Sequence, residues 1–191
     1  MDRNFDHEWV LSEPEHAEMR HLSELDGHSD VTIVSSISEE SKNILKRTVA
    51  APFKGKRAQF RLSLRTDLTS YTCKLDGPFQ GQQYRSVCAL VVFLLKSDGG
   101  NLYDGYTGTH DLVRGNTGLD LIYQPESWIS GKTSWHSQEI TFETPPEADF
   151  IVYGINIYGP GSVYIAEPTL QCVAKAVSVT RNSWHDDLGF E

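Results

Sequence analysis

GKTSWHSQEITFETPPEADFIVYGINIYGPGSVYIAEPTLQCV, residues Gly131 to Val173, decides the fold class. It holds three strand-like runs, each closed by a turn signal. The first, Trp135 to Phe142, stops at Pro145-Pro146, because neither proline can donate to a sheet ladder. The second, Phe150 to Tyr158, is rich in Ile, Val and Tyr. It ends at Gly159-Pro160-Gly161, where glycine tolerates positive φ and proline fixes its own. The third is Ser162 to Val173. Two such runs around a short Gly/Pro cluster read as a hairpin, and the architecture reads as antiparallel β.

Working outward, the same pattern continues upstream. Val31 to Ser36 and Ser41 to Val49 read as extended segments. Ala58 to Thr66 alternates. Ala58, Phe60, Leu62 and Leu64 share one face, and Gln59, Arg61, Ser63 and Arg65 share the other, as in a half-buried strand with a wet second face. Tyr84 to Leu95 is apolar on both faces, which marks a central strand. Asn101 to Ser130 is long, glycine-rich and irregular, with Tyr103, Tyr106, Tyr123 and Trp128 scattered through it, as functional loops often are. Roughly eight strands with Gly/Pro turns and no strong helix predict an all-β fold. The expected form is an antiparallel jelly-roll sandwich or a flattened eight-stranded barrel with an acidic N-terminal tail.

The net charge of −9 is unevenly spread. Asp2, Asp6, Glu8, Glu13, Glu15, Glu18, Glu24, Asp26 and Asp30 face only Arg3 and Arg20, so residues 1–30 carry most of it. The expected division is a tail or lid at 1–30, the β-body at 31–178 and a C-terminal tail at 179–191. Pro14 to Leu25 has weak helical potential through Ala17, Leu22 and Leu25. Phe5, Trp9, Val10 and Leu11 form a small apolar cluster in otherwise acidic sequence. A disordered tail is one expectation. Because tryptophan and phenylalanine are costly to leave in water, a segment folding back over something is the sharper one. A near-neutral body argues against nucleic acid. The longest apolar run, Val87 to Leu95, is far below the roughly 20 residues of a membrane span. The opening residues lack the apolar core of a secretory signal, so a reducing cytoplasm is the expected location. Of the three cysteines, Cys88 and Cys172 sit in apolar strands and read as buried small hydrophobes. Edge strands leave homodimer pairing open.

No catalytic signature is present: no nucleophile elbow, P-loop, zincin helix or dinucleotide glycine motif. No cofactor or metal is expected. The four histidines of the head lack ligand spacing. His136 reads as a satisfied, half-buried histidine. Asn156 stands out, because it shares a face with Phe150, Val152 and Gly154. A buried amide without partners costs on the order of 1–3 kcal/mol, so a ligand carbonyl is one candidate partner.

Val49 to Leu68, VAAPFKGKRAQFRLSLRTDL, resembles the segment around G-K-R-V-R-F-S in bacterial galactose-binding-like β-sandwich domains, which occur alone or attached to regulators. Gly131-Lys132-Thr133-Ser134-Trp135 resembles their G-T-x-D-W motif, and Pro146-Glu147-Ala148-Asp149 part of their V-P-x-D-A turn. Ile151 to Gly154 and Gly159 to Ile165 resemble the closing I-x-F-G and G-x-G-x-V-W-I segments. The resemblance implies a jelly roll. Ala166-Glu167 replaces the Asp-Asp of that pattern, and with no helix-turn-helix pattern in the head a DNA-binding regulator is not expected.

In plan alone, the chain also resembles small cofactor-free cyclases of spirotetramate and spirotetronate antibiotic pathways. These are eight-stranded barrels with an N-terminal segment closing over an apolar pocket. That resemblance implies a Diels-Alder-type cyclase, whose task is mainly positioning. On that reading, the polar and aromatic positions singled out in the sequence make Tyr84, Gln83 and Asn156 the candidate catalytic residues, with Arg61, Trp128, His136, Trp9, Phe5 and Met19 binding a bulky substrate. The alternative expectation is a non-catalytic module for carbohydrate or an effector, with Tyr103, Tyr106, Tyr123 and Trp128 as an exposed stacking platform.

Overall fold

The structure is a computed structural model that describes residues 8–37, 42–72, 81–106, 113–114 and 128–173. Among the described residues fourteen strands follow one another: β1 (Val10–Leu11), β2 (Ala17–Leu25), β3 (His28–Ser36), β4 (Lys42–Ala50), β5 (Lys56–Leu68), β6 (Ser70–Thr72), β7 (Gln83–Arg85), β8 (Val87–Leu95), β9 (Asn101–Tyr106), β10 (Val113–Arg114), β11 (Ile129–Ser130), β12 (His136–Thr144), β13 (Phe150–Tyr158) and β14 (Gly161–Cys172). One sheet runs β1-β4-β13-β8-β9-β10, with β11 also on β8. The second runs β12-β5-β14-β3-β2, and β6-β7 form a small separate hairpin. The fold is therefore an all-β, antiparallel jelly-roll sandwich. The two sheets do not close into a barrel.

Alternation explains the layers. In β5, Ala58, Phe60, Leu62, Leu64 and Thr66 are buried while Gln59, Ser63 and Arg65 are half-buried and Arg61 is exposed. The inward residues meet Ile151, Tyr153, Ile155 and Ile157 of β13 and Cys88, Leu90, Val92 and Leu94 of β8 in one core. That core is filled: Phe60, Leu45, Leu62, Leu64 and Leu90 are each 0–1% exposed. The expected barrel lumen is absent among the described residues, because two sheets packed face to face fill the space between them with side chains.

The Gly159-Pro160-Gly161 turn does not close a hairpin. β13 pairs with β4 and β8, whereas β14 pairs with β3 and β5. The turn carries the chain across the sandwich. Pro160 holds its φ negative, which rules out the doubly positive-φ turn favoured in two-residue hairpins. The chain also changes sheet between β3 and β4, β4 and β5, and β12 and β13.

The helical potential at Pro14 to Leu25 is overridden. Only Pro14–His16 turns, as one 3-10 turn, and Ala17 onward pairs with β3 as a strand. Asp26-Gly27 joins the two strands with φ of 53° and 83°, the tight-hairpin pattern. Trp9 is 5% exposed and belongs to the main core. Cys88 is buried, and burial pushes its thiol up to about 12, while Cys172, expected to be buried, is exposed. β3 pairs with β14 only as far as Ile165, so at Cys172 the strand has β5 on one side alone.

Asp149 ties three segments together. Its carboxylate accepts from Lys54 Nζ at 2.9 Å and from the Ser97 amide at 2.8 Å. These bonds hold its carboxyl below the usual value of 3.8. A carboxyl depressed in the fold stabilises above its unfolded pKa and stops doing so as pH falls through its folded one. In thermal melts, Asp149→Asn is therefore expected to be less stable than the parent at neutral pH, with the difference beginning to shrink near pH 3.8 and disappearing only once the pH has fallen through the lower folded value. A difference unchanged down to pH 2 would refute the assignment.

Candidate functional site

The sequence-predicted residues fall in four groups. Tyr84 and Gln83 lie on the β6-β7 hairpin. Tyr84 stacks on Tyr71 at 5.8 Å, and Gln83, exposed, donates to Thr72 Oγ1 at 2.6 Å. Asn156 and Trp128 meet on the outer face of the seven-stranded sheet. There Trp128 stacks on Tyr158 at 5.4 Å, and Asn156 Nδ2 donates to the Tyr158 hydroxyl at 2.9 Å. Trp9 and Met19 line a cleft at the sandwich edge. Arg61 and His136 belong to the five-stranded sheet. Phe5 lies outside the described residues, as do Tyr123 and the side chains of Tyr103 and Tyr106. Trp128 is 5% exposed, so it is a packing residue rather than part of an exposed platform. Of the predicted catalytic residues, Tyr84 and Gln83 lie on the β6-β7 hairpin, whose Tyr71 ring lies against Gly159 just beyond β13, and Asn156 lies near that same end of β13.

Asn156 is fully buried, and its Oδ1 has no hydrogen-bond partner among the described residues. Asn156→Leu removes one hydrogen bond and one unsatisfied carbonyl together. The expected change in stability by denaturant titration is therefore within about 1 kcal/mol. A loss above about 2 kcal/mol would show that the carbonyl is satisfied in solution.

The outer face of the five-stranded sheet gathers more chemistry. The Asp26-Gly27 tip of the β2-β3 hairpin bends over it and brings the Asp26 carboxylate to the Arg65 guanidinium. Asp26 Oδ2 also accepts the Trp135 indole N–H at 3.2 Å. Trp135, half-buried, packs against His28 with centroids 4.3 Å apart. Arg65 lies over the Tyr164 ring at 4.5 Å. Glu167 accepts from Ser63 Oγ at 3.0 Å, and its other oxygen lies 3.5 Å from His28 Nδ1. Further along, Arg61 Nε donates to Ser137 Oγ at 2.8 Å and Gln171 Nε2 to Gln59 Oε1 at 3.2 Å. His136 sits at the head of β12, its Nδ1 2.9 Å from the Ser134 carbonyl.

Local backbone geometry builds this face. Between Ala166 and Thr169 the pairing with β5 slips by one residue, a β-bulge. Glu167 lies in it with φ of 55° and turns outward, exposed. Glu167 and Asp26 are two of the three non-glycine residues with positive φ among the described residues. Such strain clusters at functional sites. Sequence reasoning placed Arg61 and Arg65 on a wet face but gave Trp135 and Asp26 no part in a site. The Asp-Gly pair after an alternating run was the available signal.

No protein-family model matches the sequence, and no curated protein matches it either. Solved structures do resemble it. The enzymatically active domain of bacteriophage CBA120 tailspike protein 4 aligns with TM-score 0.57 at 10% identity over 89% of this chain, which spans only 20% of that one. The CBM22-1 xylan-binding domain of Paenibacillus barcinonensis Xyn10C aligns with TM-score 0.52 at 10% identity, covering 91% of each chain. A CBM4 structure aligns at 0.51 and 12% identity, over 89% of this chain and 90% of that one. At such identities the likeness establishes the fold, a jelly-roll sandwich of the kind found in carbohydrate-binding modules.

Proposed function

We propose that this protein is a non-catalytic carbohydrate-binding module whose ligand lies on the outer face of the five-stranded sheet. The observation that carries the reading is the convergence of Trp135, Tyr164, Arg65, Asp26 and Glu167 on one partly exposed surface. A sugar presents hydroxyls around an apolar ring face. An aromatic side chain covers the ring face, and planar charged groups bind hydroxyls through paired hydrogen bonds. The jelly-roll neighbours whose names include xylan-binding support the same class. A cyclase requires a closed apolar chamber, and no observation here favours one.

Calorimetric titration of the full chain against xylan, β-glucan and galactan oligosaccharides tests the reading. The expected result is saturable binding to at least one, abolished or strongly weakened in Trp135→Ala. Absence of binding across neutral and acidic plant and microbial polysaccharides would overturn it.

A further inference from the structure

A cleft of about 280 Å³ opens at the other edge of the sandwich, between the segment Glu8–Trp9 with β4 on one side and the β2-β3 hairpin on the other. It is separate from the outer sheet face. Arg47 forms its floor, with the guanidinium 4.3 Å from the centroid of the Trp9 ring. Beside it lies the Tyr153 hydroxyl, whose pKa burial raises and Arg47 partly pulls back. No carboxylate pairs with Arg47 among the described residues, and its Nε is buried without a hydrogen-bond partner. In a protein of net charge −9, this guanidinium is held by the Trp9 ring and the Tyr153 hydroxyl and carries no carboxylate on its fork among the described residues, which leaves that fork for an incoming anion.

We propose that this cleft binds a small carboxylate bearing hydrogen-bond donors on its neighbouring carbons. The carboxylate takes the guanidinium fork, the geometry arginine matches in pairs of bonds. Met19 supplies an apolar wall. Thr32 and His21, already joined at 3.2 Å, supply polar contacts beside it. Glu8 and Asp30 stand exposed at the mouth, where they accept donors and repel a second negative charge. That pattern selects a monoanion with hydroxyl or ammonium groups over a phosphate dianion. A uronic acid and an α-amino acid share this chemistry.

Titration of the full chain followed by NMR of the Trp9 indole and Met19 methyl signals tests it. One arm uses glucuronate and galacturonate, the other glycine and L-alanine, with acetate and inorganic phosphate as controls. One arm is expected to saturate with Kd of about 1 mM or tighter, well ahead of both controls. Arg47→Met should weaken that binding at least about tenfold. It should leave polysaccharide binding through Trp135 intact, so failure here and failure of the carbohydrate reading are separable. Glu8→Gln, at an exposed position, should narrow the preference for carboxylate over phosphate. It also serves where Arg47→Met fails to fold. Neither arm saturating, equal response to phosphate, unchanged affinity in Arg47→Met, or unchanged carboxylate-over-phosphate preference in Glu8→Gln would overturn the proposal.

Discussion

Gly154→Ala is expected to cost more than about 4 kcal/mol, a loss few single substitutions reach. Gly154 sits mid-strand in β13, opposite Lys46 of β4 and Val91 of β8. A methyl group there would stand 1.9 Å from the Leu45 carbonyl oxygen and 2.9 Å from both the Leu45 carbonyl carbon and Lys46 Cα. These are backbone atoms, so no rotamer change relieves the clash. β4 would have to separate from β13, and the neighbouring core residues Leu45, Tyr153 and Ile155 would separate with it. A domain holds a net stability of only about 5–15 kcal/mol, so the variant should be largely unfolded or melt far lower. Gly27 provides the contrast. Its Cβ would meet nothing within 4 Å, and the cost of alanine there is mainly the positive φ of 83°, about 1–2 kcal/mol. Denaturant titrations of both variants check the ordering. A Gly154→Ala protein within about 1 kcal/mol of the parent would mean that β4 and β13 are not packed as described.

Trp135→Ala carries the largest expected effect on binding. Single aromatic anchors commonly supply about 2 kcal/mol or more at a binding surface, so affinity for the responsive polysaccharide should fall at least about tenfold. The indole also holds the hairpin tip through Asp26. Trp135→Phe keeps a ring but loses that N–H, and its affinity should fall between those of the parent and the alanine variant. Near-UV circular dichroism separates lost contact from lost fold. Binding within twofold of the parent in Trp135→Ala, with the fold intact, would move the carbohydrate away from this face.

The fold class was legible because alternation and turn chemistry are local. Phe60 and Arg61 announce opposite faces of β5 without reference to any partner. Partner choice was not legible. Phe150 to Tyr158 and Gly161 to Cys172 look the same whether they pair with each other or lie in opposite sheets, and they lie in opposite sheets. Residues 17–25 failed for a different reason. Their intrinsic preference is weak, and pairing with β3 decides their conformation. The candidate face was half legible. Arg61 and Arg65 could be read from one strand, but Asp26, Trp135 and Glu167 meet there only through tertiary geometry.

The placement of β13 and β14 at the centres of their sheets has a consequence for synthesis. β3 and β5 touch chiefly through β14, and the bond between the Ser35 and Ser162 hydroxyls spans 127 residues. At roughly 5–20 residues per second, a ribosome leaves β3 waiting on the order of ten seconds for its central neighbour. Neither layer can be completed until the Gly131–Val173 stretch has emerged. Meanwhile the long, apolar-faced β5 has open edges that invite other nascent chains. The alternating Arg57, Arg61, Arg65 and Asp67 on its outer side are placed to discourage such pairing during that interval.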